Sequence, residues 1–190
     1  MRTNDSGSPS DPIAQLRVVR AKDFPCCHTI TDASGRPLGH AQVALPAFRR
    51  HGTIYSDSAR TTPLATWHAD YPFTAANSFT IADIDGIVLG ALSKTAAKTF
   101  RSARLELTTP SVSAAGYDSG FVPAFAKLPS PVSFVYRLPG GVEVLRIERG
   151  WGDRDPFLVT CPTFKGQTLD WRLAAAISIV MDITLNRPTP

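Results

Sequence analysis

The stretch from Leu173 to Leu185, LAAAISIVMDITL, is the part of this 190-residue chain with the fewest ways to fold. Alanine and leucine favour helix, Thr168 or Asp170 can cap its start, and Pro188 ends it. Placed at 100° steps, its apolar side chains fall on every face. A helix apolar all round is either enclosed by protein or immersed in lipid. The longest apolar runs here are about nine residues, whereas a spanning helix needs roughly 20. Charges at Asp170, Arg172 and Asp182 also crowd this one. The rest of the chain must therefore surround it.

Between Leu16 and Leu158 the sequence is a succession of short apolar runs broken by Gly, Pro, Asp and Asn. Sixteen prolines and thirteen glycines leave few windows long enough for another helix. Such a pattern predicts many strands. Many short strands present open edges unless their sheet closes on itself. The expected fold is mainly β: a closed antiparallel barrel of about twelve strands around a buried C-terminal helix over 169–185. Residues 1–15, rich in Ser, Asp and Pro, are expected to be a disordered tail, and 16–187 a single domain.

Residues 30–39 read ITDASGRPLG and residues 81–90 read IADIDGIVLG. Ile81, Asp83, Gly86, Leu89 and Gly90 fall on Ile30, Asp32, Gly35, Leu38 and Gly39. Each copy reads as a hairpin, with Ser34-Gly35 and Asp85-Gly86 supplying the positive backbone dihedrals of a tight turn. A degenerate third version runs from Val135 to Leu145, with Pro139-Gly140-Gly141 turning. Downstream, Phe48-Arg49 and Phe100-Arg101 repeat, each in a basic stretch. These stretches hold Arg49, Arg50 and His51 in one case, and Lys94, Lys98, Arg101 and Arg104 in the other. A duplicated unit of about 50 residues explains both repeats, with two units facing each other around a shared core.

Taken in order, the I-x-D-x-x-G-x-x-L-G hairpins, the basic stretch from Lys94 to Arg104, and Leu169-Asp170-Trp171-Arg172 opening the helix that holds Asp182 resemble the tubby-like superfamily. The resemblance is closest to the phospholipid scramblase and LURP-one-related families, and it covers residues 20 to 187. It implies a twelve-stranded barrel around the helix. It also implies ligands of the kind met in that superfamily, where tubby proteins bind phosphoinositides and scramblases are associated with calcium-dependent lipid movement. Scramblases carry an acidic calcium loop before the terminal helix; here Cys161 to Gln167 contains no carboxylate, so calcium-driven scrambling is not expected.

Other chemistry fails on context. Gly116-Tyr117-Asp118-Ser119-Gly120 has the outline of a nucleophile elbow, but Pro123, Pro129 and Pro131 follow where a helix is required. His28, His40, His51 and His68 are scattered singly, without metal-ligand spacing. Asp83-Ile84-Asp85-Gly86 lacks the Glu that a calcium loop needs six residues after its Gly; Leu92 stands there. Cys26, Cys27 and Cys161 make no disulfide framework, which fits a reduced, cytoplasmic setting, and Cys26 and Cys27 read as packing residues rather than acylation or redox sites. A net charge of +4 is too small to point to nucleic acid. The residue reading is therefore a non-enzymatic barrel without metal or cofactor. Lys94, Lys98, Arg101, Arg104, Arg49 and Arg50 are expected to meet an anionic phospholipid head group, peripherally on the inner face of a membrane. The alternative is a protein-interaction or scaffold barrel using exposed strands and loops such as Leu128-Pro129-Ser130-Pro131.

Overall fold

The computed structural model describes residues 13–21, 27–44, 51–69, 78–95, 104–110, 113–118, 132–150 and 155–185, with backbone alone at 94–95, 104–105, 113, 115–118, 132 and 183–185. Twelve strands and one helix occupy these residues. The strands are β1 (Gln15–Arg20), β2 (Cys27–Asp32), β3 (Pro37–Ala44), β4 (His51–Tyr55), β5 (Pro63–Ala69), β6 (Ser78–Asp83), β7 (Val88–Thr95), β8 (Arg104–Thr108), β9 (Ser113–Asp118), β10 (Val132–Arg137), β11 (Glu143–Arg149) and β12 (Phe157–Thr160); the helix is α1 (Trp171–Leu185). Each strand pairs antiparallel with its neighbours in sequence, and β1 closes the ring against β12 through Gln15↔Thr160 to Val18↔Phe157. The expected closed barrel around a C-terminal helix is the observed one.

Period-two alternation builds the wall. Gly39, Ala41 and Val43 of β3 are buried while their neighbours are half-exposed, and Leu16 and Val18 of β1 behave alike. Inward-facing Ile30, Ile54, Trp67, Ile81, Leu107, Leu145 and Ile147 meet the helix, whose residues Leu173 to Asp182 are all buried. Fully burying a side chain such as Ile177 or Ile179 contributes roughly 1.5–3 kcal/mol, so enclosure by the sheet is what makes an all-apolar helix stable in this chain. The helix begins at Trp171, two residues later than the sequence pattern suggests. Asp170 is its N-cap: its Oδ1 accepts the Arg172 amide at 2.8 Å and its carbonyl accepts the Ala174 amide at 3.1 Å.

The repeated decapeptides are the β2–β3 and β6–β7 hairpins. In each, the Gly amide donates to the carbonyl of the Asp three residues before it, at 3.1 Å for Gly35 and 3.2 Å for Gly86. The Asp carboxylate also accepts amides within the turn, Ser34 and Arg36 in one copy and Asp85 and Ile87 in the other. Only the glycine has positive φ, +89° at Gly35 and +81° at Gly86. Ser34 and Asp85 do not, so the expected pair of positive dihedrals gives way to a turn followed by a glycine bulge, with the register shift next to it. The β10–β11 hairpin keeps the bond pattern and the positive φ at Gly141, +88°, but its preceding Gly140 is positive as well, at +102°. Three like hairpins spaced four strands apart around twelve extend the duplication into a three-fold pattern.

The final Gly of each decapeptide has a separate cause. A Cβ on Gly90 would stand 3.0 Å from both Leu173 methyls and 2.9 Å from the Thr108 carbonyl; on Gly39 it would lie 2.7 Å from the Tyr55 carbonyl and 3.4 Å from the Trp171 ring. Two copies of the motif thus leave room for the first turn of the helix.

A buried cationic cluster at the basic end of the barrel

The antiparallel meander sends alternate connections to opposite ends. One end, the turn end, carries the joins β2–β3, β4–β5, β6–β7, β8–β9, β10–β11 and β12–α1; the other carries β1–β2, β3–β4, β5–β6, β7–β8, β9–β10 and β11–β12. Counted from the last residue of one element to the first of the next, the turn-end connections hold four basic and six acidic residues. The opposite connections hold ten basic and five acidic residues by sequence. By sequence, the two sets of connections therefore differ in charge, although Arg20 and Arg149 in this count pair with Asp182.

The candidate residues follow this polarity. Arg49 and Arg50 belong to the β3–β4 connection, and Lys98, Arg101 and Arg104 to β7–β8; neither connection contains an acid. Lys98, Arg101, Arg49 and Arg50 lie outside the described residues. Lys94 and Arg104 are described by backbone only, on β7 and β8, where Lys94 pairs with Leu105 and Thr95 with Arg104.

Inside the same end stands a cluster of side chains that face the helix. Asp182, near the C-terminus of α1, accepts from Arg20 Nη2 at 3.1 Å and from Arg149 Nη1 at 3.1 Å on Oδ1, and its Oδ2 lies 3.3 Å from His28 Nε2. A carboxylate can only accept, so Nε2 is the protonated nitrogen of that contact. Burial pushes the Asp182 carboxyl up, but the His28 bond and the charges of Arg20 and Arg149 outweigh it and hold the group below its usual 3.8. An acid at a helix C-terminus is ordinarily unfavourable; here two guanidiniums offset both the carboxylate and the helix end. Arg149 also lies over the Phe157 ring, 5.0 Å from its centroid.

The sequence carried a signal for this cluster that the strand reading passed over. LRVVR (16–20) and LRIER (145–149) share the outline L-R-aliphatic-x-R. Alternation that turns Leu16 and Val18 inward also turns Arg20 inward, and likewise Leu145, Ile147 and Arg149. A guanidinium at an inward strand position needs a counter-charge, and Asp182 is the acid on the enclosed helix.

The turn end is built otherwise. A half-open cavity of about 290 Å³ there is lined by Ile87, Val88, Leu89, Phe164 and Leu173 among others, and its carboxylate, Asp170, is held by the Arg172 guanidinium at 2.6–3.2 Å. Cys161 is fully buried, and burial, aided by Asp170, pushes its thiol up to about 12, which removes it as a nucleophile. Cys27 is buried as a packing residue on β2, and Asp118 ends β9; Cys26, Ser119 and Gly120 lie outside the described residues. Among the described residues no group of three or more His, Cys, Asp or Glu is placed to hold a metal ion, and no helix is long and apolar enough to cross a membrane.

No protein-family model and no curated protein matches the chain. Among solved structures, the X-ray structure of a protein from Arabidopsis thaliana superposes with a TM-score of 0.54 and 13% sequence identity, over 93% of this chain and 94% of that one. The likeness shows the fold alone, a strand barrel with a C-terminal helix.

Proposed function

We propose that this chain is a non-enzymatic member of the tubby-like superfamily, of the scramblase and LURP-one-related kind, and that its basic end binds anionic phospholipid head groups on a membrane surface. The observation that carries this reading is the charge difference, by sequence, between the two sets of connections: with Arg20 and Arg149 left out because they pair with Asp182, eight basic residues against five acids at one end, four against six at the other. Lys94, Lys98, Arg101 and Arg104 form one arm of the contact and Arg49 and Arg50 the duplicated arm. Each basic side chain near an anionic surface contributes about 1 kcal/mol, so exchanging the first four for Gln weakens attachment by about 4 kcal/mol, roughly a thousandfold. Sedimentation with phosphatidylcholine vesicles, with and without an anionic lipid, tests this. Binding to the anionic vesicles alone, released by salt, is the expected result. Equal recovery in the supernatant from both at low salt rejects it.

One observation favours a second reading, a protein-interaction barrel. Ile84 and Ile87 of the β6–β7 turn are 57% and 63% exposed, while the same hairpin in the first copy carries Ala33 and Arg36. The turn geometry therefore does not require those isoleucines. A co-purifying partner lost with Ile87→Arg, but retained when the basic residues are exchanged, would support this reading over the first.

A further inference from the structure

The cavity at the turn end is built from parts that the barrel itself does not require. Its volume is about 290 Å³, whereas about 150 Å³ in an apolar interior already admits benzene. It opens at the mouth of the barrel, a common place for a ligand. Ile87 and Val88 line it and are exposed, yet the first copy of the hairpin carries Arg36 and Pro37 at these positions. The turn leaves both residues free to vary, and the second copy makes them apolar where they line the cavity.

Another wall is a tight hairpin that belongs to no strand of the barrel. Phe164 and Gln167 exchange both backbone bonds, at 2.8 and 2.9 Å, around Lys165 and Gly166 at φ +50° and +76°. Lysine adopts that conformation only at a cost, and such strain is met where a loop holds a ligand. Here it sets Phe164 and Gln167 side by side, and both line the cavity. Lys165 Nζ, 5.3 Å from the Phe164 centroid, steadies the ring.

The polar groups of the lining decide the ligand. Asp170 is held by Arg172, Thr168 bonds Thr163 at 3.0 Å, and Thr109 is also engaged. Gln167 bonds through its backbone alone, so its side-chain amide is uncommitted among the described residues. A charged ligand would give up its hydration and meet no uncommitted counter-charge in this lining. An ion pair with the exposed Lys165 beside it would return little.

We infer that this cavity binds a small, neutral, mostly apolar molecule of about two fused rings, whose single hydrogen-bonding group meets the Gln167 side chain. Such a site goes beyond both proposed functions, and it lies at the end opposite the basic connections.

The test titrates the full chain with indole and follows the Val88 and Leu173 methyl resonances. Saturable shifts at both, with a Kd of about 1 mM or tighter, are expected. N-methylindole, which lacks the ring N–H, should bind wild type about three- to tenfold more weakly, and Gln167→Leu no differently from indole. Tryptamine, a cation, and indole-3-carboxylate, an anion, should each bind wild type about tenfold more weakly than indole. Val88→Arg, at an exposed position, should weaken indole by a similar factor. No saturable shift at these methyls by about 10 mM indole, or charged analogues that bind as tightly as indole, overturns the site. Both of those outcomes are read on wild type, so neither depends on a variant folding. Equal binding of indole and N-methylindole to wild type overturns the contact with Gln167. Tighter binding of the neutral peptide acetyl-Gly-Trp-Gly-amide than of indole would give the cavity to a partner's side chain, overturning the small-ligand site in favour of the protein-interaction reading.

Discussion

Asp182→Asn removes the one charge that holds three strands to the helix end. The Asn carbonyl still accepts one hydrogen bond, but Arg149, 5% exposed, is left without a counter-charge. Breaking a buried pair from one side costs about 3–5 kcal/mol. Arg20 is 26% exposed and recovers part of its hydration, which favours the low end of that range. Removing a negative charge from the helix C-terminus returns about 0.3–1 kcal/mol. The net expectation is a loss of about 2–3 kcal/mol, or about 4–12 °C in Tm for a domain of this size. Urea unfolding of wild type and variant from pH 3 to 8 is the assay. Because the folded carboxyl is held below its usual 3.8, its contribution is fully present above the unfolded value and disappears as pH falls through the folded one. The gap between the two proteins should therefore be level at neutral pH and narrow in acid. A loss under about 1 kcal/mol, or a gap that widens in acid, would refute the assigned role of the cluster.

Gly90→Ala should destabilise by about 1–3 kcal/mol in urea unfolding, because its Cβ meets the Leu173 methyls and the Thr108 carbonyl. Gly86→Ala has open space but a φ of +81°, so its loss should stay near 1–2 kcal/mol and be strain alone. Ile87→Arg, which copies Arg36 into the second hairpin, should leave the unfolding midpoint within about 0.5 kcal/mol of wild type; a larger loss would mean that the two turns are not equivalent. Cys161 should resist iodoacetamide at pH 8 until the chain unfolds, as mass spectrometry of the labelled peptide would record; prompt native-state labelling would contradict its burial.

Much of the architecture is legible in the sequence because it depends on short-range rules. A helix without a polar face needs an enclosure, and regularly punctuated strands supply one. Three features are not legible from the pattern. Gly39 and Gly90 look like turn residues, yet their neighbours are Trp171 and Leu173, more than eighty positions away. Ser34-Gly35 and Asp85-Gly86 fit two turn families, and only the bonding of Asp32 and Asp83 selects the glycine bulge. Alternation turns Arg20 and Arg149 inward, but only the closed barrel places them opposite Asp182. The basic residues were legible by sequence proximity, whereas their common end follows only from strand order.

The central claim is that the end of the barrel with the basic connections faces the membrane. It is tested most directly by labelling each end in turn, in a chain whose three cysteines are replaced by alanine. One fluorophore goes at Ala44→Cys, the last residue of β3, and the other at Ser34→Cys in the β2–β3 turn. Both are read against anionic vesicles containing brominated, quenching lipid. The account predicts quenching at position 44 and little at position 34. Quenching at 34 equal to or stronger than at 44 would contradict it.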